Sequence, residues 1–269
     1  MRGPCFFVML PAMKEPQRLT TEAFWDDLWS GAADEQTKRV SYYGRVLAEI
    51  LDRAFAGARK GESCLEIGCG NSRHLPLVAL RYGFAVAGLD YTENGCRTAR
   101  EQLRRAGVDA PVYQRDVFDP NDDLQGRFDY VMSFGVVEHF EDPVAVLKVM
   151  RRFLKPSGRI VTMLPNMAPG SLNVRVFRVV GPRILAMHKL MTLDELRRFH
   201  EQAGFETVEC RFAGVGISTT VDRRSVFRRL IQQAAFRAAQ LGRKCFEWLH
   251  CTPPQNSFTG MCMVYHGKL

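Results

Sequence analysis

Two apolar periods alternate along this chain. Cys64-Leu65-Glu66-Ile67 is a short, mostly apolar run between Gly61-Glu62-Ser63 and Gly68, the pattern of a buried strand. Similar runs recur at Phe84–Leu89, Val112–Asp116, Phe128–Phe134, Arg159–Leu164, Glu206–Phe212 and Gly260–Tyr265. Between them the spacing turns helical. One helix is predicted over 72–82, with Pro76 tolerable in its first turn. Another runs from Thr92 to Ala106, capped by Thr92 and ended by Gly107. A third runs from Pro143 to Leu154, started by Asp142-Pro143 and ended by Lys155-Pro156-Ser157-Gly158. A fourth opens at Thr192 and ends at Ala203-Gly204. Strand and helix in alternation predict an α/β fold with a parallel sheet. Two helices precede it over 20–56. Thr20-Thr21-Glu22 caps the first, which carries Phe24, Trp25, Leu28 and Trp29, and the second carries Val40, Tyr43, Val46, Leu47, Ile50, Leu51 and Phe55.

The stretch Leu65-Glu66-Ile67-Gly68-Cys69-Gly70-Asn71 organises the rest. A strand, a Gly-rich turn and a helix start form a cradle for a nucleotide-like ligand, because glycine lets the backbone approach without a Cβ clash. Free N–H groups at the helix start favour a negative group. Asp90 ends the second strand, 22 positions after Gly68, where an acid can accept from both ribose hydroxyls. The turn departs from the dinucleotide fingerprint: it reads Gly68-x-Gly70-x-x-Arg73, without the third glycine, and Glu66 stands two residues before it. That acid repels a diphosphate but not a cation. S-adenosylmethionine (SAM) has a ribose, an adenine, an ammonium and a sulfonium, and no phosphate.

With Asp116 after the third strand, FDYVMSFGVVEHF at 128–140 and LKPSGRIVTMLPN at 154–166, the chain resembles the class I SAM-dependent methyltransferases, in the type-11/UbiE-like small-molecule branch. The resemblance covers roughly residues 60–212 and the last strand. It implies a Rossmann-like sheet of seven strands in the order 3-2-1-4-5-7-6, the last antiparallel, with helices on both faces. It also implies that Asp90, beside Tyr91, takes the ribose. Asp116 reads the adenine amino group, with the Val117 backbone beside it. Glu66 and the backbone of Gly68, Cys69, Gly70 and Asn71 face the methionine part, over Ser133, Phe134 and Gly135. The region 20–56 covers the cofactor and shapes the acceptor pocket, or its tryptophans simply pack on the core.

Methyl transfer demands alignment above all, which alone supplies ~7–11 kcal/mol. A base is required only when the acceptor must lose a proton. Glu138-His139 follows the fourth strand, and His139 is the first candidate base, weakly favouring O-methylation. His188 is the second. His74, His200, His250 and His266 show no partner pattern, and no His/Asp clustering in the sequence suggests a metal. Two other readings stay open: a methyltransferase-like binding protein without turnover, and an NAD(P) oxidoreductase, which lacks its third glycine here.

Charge adds one refinement. The net charge is +8, yet residues 171–190 carry +4 and 223–250 carry +6, leaving the remainder at −2. These segments fall in insertions at 168–190 and 213–257, which are expected to form a lid. The second has an apolar line from Phe227 through Ala234, Ala238 and Leu241 to Trp248. An anionic or lipid-linked acceptor, held by Arg228, Arg229 and Arg237, is the sharpest reading of that charge; peripheral membrane contact is another, and nucleic acid ranks last, since no RNA-binding accessory motif is present. Eight cysteines without a C-x-x-C pair read as a reduced, cytoplasmic compartment with no structural zinc. Residues 1–19 read as a poorly ordered leader, its apolar run broken by Pro11 and far shorter than the ~20 residues of a membrane span. The natural start at Met13 is as acceptable as Met1. Oligomeric state is not legible.

Overall fold

The computed structural model describes residues 15–30, 42–217 and 254–269, with isolated helical positions at 234, 237, 238, 240–242, 244 and 248. Two helices, α1 (Glu22–Ser30) and α2 (Tyr42–Ala54), lead into the alternation β1 (Ser63–Ile67), α3 (His74–Tyr82), β2 (Ala85–Asp90), α4 (Glu93–Arg105) and β3 (Val112–Gln114). The second half adds β4 (Phe128–Phe134), α5 (Pro143–Arg151), β5 (Leu154–Pro165), α6 (Leu172–Val180), α7 (Pro182–Ala186), α8 (Leu193–Gln202), β6 (Glu206–Val215) and β7 (Gly260–Lys268). The seven strands lie in the order β3-β2-β1-β4-β5-β7-β6, as the resemblance implied. The neighbouring pairs from β3 to β5 are parallel. β7 runs antiparallel to both β5 and β6.

The period of two in β1 sorts the core. Leu65 and Ile67 face one apolar layer, with Val146, Leu147 and Met150 of α5 and Leu196 of α8. Cys64 faces the other, with Leu47, Ile50 and Leu51 of α2, Leu75 and Val78 of α3, and Cys96 and Ala99 of α4. Helices therefore cover both faces, and the C-terminal ends of β1, β2 and β4 open on one edge between the layers. In such sheets that edge, where the strand order turns, is where ligands bind.

Several boundaries differ from the sequence reading. Helix α5 ends at Arg151, and Lys155–Gly158 lies inside β5 rather than in a turn. Leu154 pairs with Phe128, and the register shifts before Tyr130 meets Arg159, so the strand absorbs the Pro-Ser-Gly segment as an irregularity. Thr92 precedes α4 but does not cap it with its side chain; its hydroxyl donates to Asp90 at 2.6 Å instead. β3 stops at Gln114, while β6 and β7 run further than their apolar cores suggest.

Residues 15–19 also depart from the leader assignment. Arg18 forms a β-bridge with Phe140, Glu141 N–H donates to Gln17 and Leu19 N–H donates to His139. Residues 1–14, most of the 213–257 insertion, and Arg228 and Arg229 lie outside the described residues. The insertion at 168–190 forms α6 and α7, whose Val174, Phe177, Val180 and Ile184 build a small core of their own with Met167. No disulfide occurs among the described residues. Among them, too, no helix is long and apolar enough to cross a membrane.

Candidate functional site

The turn after β1 is built by its neighbours on β2. Gly68 and Cys69 donate their N–H groups to the carbonyl of Leu89, and Gly70 N–H donates to the Asp90 carboxylate at 2.8 Å. Gly68 has φ +74°, and a Cβ there would lie 2.3 Å from Val136. A Cβ on Gly70 would lie 2.5 Å from Trp29 Nε1. Both glycines are thus required by shape. The N–H groups of the turn are engaged by β2, and those of His74 and Leu75 at the helix start, expected to be free for an anion, are engaged by the Ser72 hydroxyl. Glu66, buried behind the turn, takes the Ser72 hydroxyl on one oxygen and His74 Nδ1 at 2.7 Å on the other. Ser72 in turn accepts from His74 and Leu75 N–H, capping α3. The turn is consequently anionic in character, which suits an ammonium and a sulfonium and repels a diphosphate.

Asp90 is buried, and desolvation raises its pKa. It accepts from Gly70 N–H, Thr92 N–H and the Thr92 hydroxyl. Of the roughly four acceptor positions of a carboxylate, one is left for a ribose hydroxyl. Asp90 therefore shapes the turn. Asn71 sits at φ +53° and accepts from Gln102.

Asp116 is engaged by a residue the sequence reading did not single out. Arg18 pairs with its carboxylate, and Phe118 N–H donates to the other oxygen at 2.9 Å. The Arg18 guanidinium lies 4.8 Å over the Tyr91 ring and 5.5 Å from the rings of Phe118 and Phe140. In this structure a cation, not a free carboxylate, faces the space assigned to adenine. Nothing local marks Arg18 in the sequence, since its partner is 98 residues away.

One cavity of about 900 Å³ joins these groups. It is walled by Glu66, Gly68, Gly70, Asn71, Asp90, Tyr91, Asp116 and Val117 at one end, with Phe134 and Gly135 between, and by Glu138, His139, Met187 and His188 at the other. Cys69 and Ser133 are buried but do not line it, and the Ser133 hydroxyl has no partner. Helix α1 roofs the cavity. None of its residues is buried, Trp25 and Trp29 stack at 6.0 Å and line the void, and Trp25 meets the His139 ring edge-on at 5.0 Å. Asp26 holds the roof down by accepting from Asn94 N–H and its side-chain amide at the start of α4. The tryptophans are pocket wall, not core filling.

At the far end, Glu138 and His139 lie in the short 3-10 turn Val137–His139 after β4. The 168–190 insertion docks against it: Lys189 N–H donates to the Glu138 carbonyl, and Lys189 Nζ donates to that of Glu141. His139 Nδ1 lies 2.6 Å from the Met187 carbonyl, and His188 Nδ1 lies 2.6 Å from that of Ile184. A carbonyl only accepts, so both rings carry their proton on Nδ1 and leave Nε2 as a lone pair. Burial pushes His139 down to about 3 and lowers His188, so both are neutral. Burial also raises Glu138 to about 8. A buried neutral imidazole is a weak proton acceptor, which argues against His139 as a strong general base and leaves it as a hydrogen-bond acceptor or ligand. Sequence marks His188 only as a candidate base; the fold brings it beside Glu138, 50 residues away. Of the insertion's cations, Arg175, Arg178 and Arg183 are exposed and line no part of the cavity. Arg18, Arg81 and Arg115 do line it, paired with Asp116, Asp52 and Asp123.

Residues 39–210 match the family described as "Methyltransferase domain". The ubiquinone biosynthesis O-methyltransferase of Dinoroseobacter shibae is 30% identical over 182 residues, 64% of this chain and 71% of that protein. The 27-O-demethylrifamycin SV methyltransferase of Amycolatopsis mediterranei is 28% identical over 192 residues, 68% of this chain and 65% of that one. Among solved structures, the Haemonchus contortus phosphoethanolamine N-methyltransferase 2 in complex with S-adenosyl-L-methionine has a TM-score of 0.54 at 19% identity, over 92% of this chain and 57% of that one. The [4+2]-cyclase SpnF has a TM-score of 0.61 at 13% identity, over 94% and 96%. At such identities the structural likeness speaks for the fold alone.

Proposed function

The chain belongs to the SAM-dependent methyltransferase family, and we propose that it methylates a hydroxyl group of a small molecule held at the Glu138–His139–His188 end of the cavity. The observation that carries this reading is the continuity of one cavity from the Glu66–Gly70 turn to those three side chains. The relatives named as O-methyltransferases of ubiquinone biosynthesis and of a rifamycin support an oxygen acceptor.

S-adenosylmethionine is the methyl donor; when bound it supplies an electrophilic methyl group on a sulfonium. The anionic turn formed by Glu66 and by the backbone that Asp90 holds suits its charged end. Asp90 offers its remaining lone pair to the ribose beside Tyr91. The Val117 backbone and Asp116 serve the adenine, once Arg18 yields Asp116. Phe134 and Gly135 form the floor between donor and acceptor, with Ser133 buried behind them. His139, held by Met187, presents Nε2 to the acceptor hydroxyl, with Glu138 beneath it. Trp25 and Trp29 exclude water from above, so that donor and acceptor meet in a dry, fixed geometry.

The 168–190 insertion, which docks on the Glu138 turn, is read as a lid over the acceptor, together with the 20–56 cover and the 213–257 insertion. An anionic or lipid-linked acceptor, or contact with a membrane surface, remains attached to the basic character of those insertions. Arg237 is exposed, in keeping with a surface-facing role.

The test supplies methyl-labelled SAM with phenols, catechols, aliphatic alcohols and amines, and reads both S-adenosylhomocysteine and the labelled product. Label on oxygen is the expected result. Label on nitrogen alone rejects the oxygen reading. SAM binding by calorimetry with no turnover across the panel favours the binding-protein alternative, while saturable NAD binding favours the oxidoreductase.

A further inference from the structure

Glu138 is fully buried, and neither of its carboxylate oxygens has a hydrogen-bond partner. This is the costliest way to leave an acid inside a protein, because desolvation is not offset by donors or an opposite charge. Protonation alone does not resolve it. A carboxylic acid still needs an acceptor for its proton, and His139 Nε2, at 4.0 Å, is beyond hydrogen-bond reach. Among the described residues no lysine or arginine side chain pairs with the Glu138 carboxylate. The surroundings supply two imidazoles, each with Nδ1 tied to a backbone carbonyl and Nε2 left as a lone pair. Their rings lie 4.5 Å apart at 58°. One ligand atom from each of Glu138, His139 and His188 falls within 4.8 Å of the others.

We propose that Glu138, His139 and His188 form a binding site for one divalent transition-metal ion, facing the cavity. Two neutral imidazoles and a carboxylate match the donor chemistry of zinc and its first-row neighbours, whereas magnesium and calcium prefer oxygen-only shells. The carbonyls of Met187 and Ile184 do for these rings what outer-shell acceptors do for metal-bound histidines: they fix the tautomer and the orientation of the ring. With metal–ligand bonds of about 2.0–2.2 Å, neighbouring ligand atoms in a tetrahedral site lie ~3.4 Å apart, so the three need to close by roughly 1 Å. Three protein ligands leave at least one coordination position open. That position faces the void, where a hydroxyl oxygen of the acceptor is suited to complete the shell. His188 comes from the 168–190 insertion, so the ion also ties that insertion to the turn after β4. Ion binding itself does not depend on the methyl-transfer reading; its role in placing the acceptor does.

The full chain, stripped with a chelator, is titrated with Co²⁺ while the visible absorption is followed, and then challenged with Zn²⁺ or Mg²⁺. One equivalent of Co²⁺ is expected to bind and to be displaced by one equivalent of Zn²⁺, with Mg²⁺ ineffective. Glu138→Gln and His188→Gln should each weaken Co²⁺ binding at least tenfold while leaving SAM affinity within twofold. X-ray absorption of the zinc-loaded wild-type protein, which needs no variant to fold, should show two histidine nitrogens and a carboxylate oxygen. The absence of saturable Co²⁺ binding overturns the site, and so does undiminished binding in both variants or a shell containing sulfur. Metal bound at these residues without turnover on any acceptor removes the O-methyltransferase reading and leaves the site standing. Label transferred to oxygen by a protein that binds no metal removes the site and leaves that reading standing.

Discussion

Arg18 and Asp116 form an ion pair that brings a guanidinium to within 4.8 Å of the Tyr91 ring, inside the space where the family's adenine is expected. The strand-like segment carrying Arg18 is held to Phe140, Glu141 and His139 by its backbone. Entry of the nucleoside therefore requires the Arg18 side chain to move while its backbone stays. The partly exposed pair is worth about 0.5–1.5 kcal/mol, since solvent screens it. Arg18→Ala should accordingly tighten SAM two- to tenfold in a calorimetric titration. A weaker affinity instead would make Arg18 a permanent wall of the pocket.

Asp90 holds the Gly turn and, in the proposed placement of SAM, also meets the ribose. Asp90→Ala leaves Gly70 N–H and the Thr92 donors without a buried acceptor, at a cost of about 1–3 kcal/mol in stability. SAM affinity should fall at least tenfold. A folded Asp90→Ala protein with wild-type SAM affinity would remove Asp90 from the cofactor site.

Gly70 and Trp29 touch across the cavity roof. A methyl group at Gly70 would stand 2.5 Å from Trp29 Nε1, so Gly70→Ala must displace the Trp29 ring from its place in the roof. SAM binding should weaken, and adding Trp29→Ala should recover part of the loss by making room. If the double variant binds no better than Gly70→Ala alone, the clash is not the cause.

Two buried histidines predict a loss of stability in acid. Burial holds His200 down to about 3 and His266 to about 4. His200 stacks on Tyr265, its Nε2 faces the Thr162 hydroxyl, and its Nδ1 donates to the Leu196 carbonyl, with no carboxylate among these partners. Below pH 6.5 the unfolded chain takes up protons that the folded chain refuses. Stability is therefore complete above that pH and declines as the pH falls toward 4, by about 1.4 kcal/mol per unit for each such histidine. Denaturant unfolding from pH 7.5 to 4.5 measures it, and His200→Gln should flatten the slope. An unchanged slope in that variant would place the acid sensitivity elsewhere.

What could be read from the sequence and what could not divide by range. The buried strand before Gly68, Asp90 at the end of β2 and the strand order follow from local apolar runs and from the resemblance, and all stand. The Arg18–Asp116 pair and the meeting of His188 with Glu138 join residues 98 and 50 positions apart, and no periodicity announces such contacts. Thr92 carries a good cap signature, yet its hydroxyl makes no cap bond and is turned toward the buried Asp90 carboxylate two residues earlier. Lys155-Pro156-Ser157-Gly158 has turn chemistry, but pairing with β4 overrides it. Burial was the other hidden variable: His139 looks like a base in sequence, and only its enclosure shows it to be neutral with its proton pinned to Met187.

β7 lies between β5 and β6, although it is made after both. During synthesis the ribosome releases the neighbours of this strand well before the strand itself. Until residues 260–268 emerge, Arg159–Pro165 presents an open edge and β6 has no strand to pair with. A nascent chain of this kind waits with unpaired hydrogen-bonding edges and uncovered apolar surface, the condition that invites wrong pairings between copies. The longer the 213–257 insertion takes to translate, the longer those edges wait for the strand that closes the sheet.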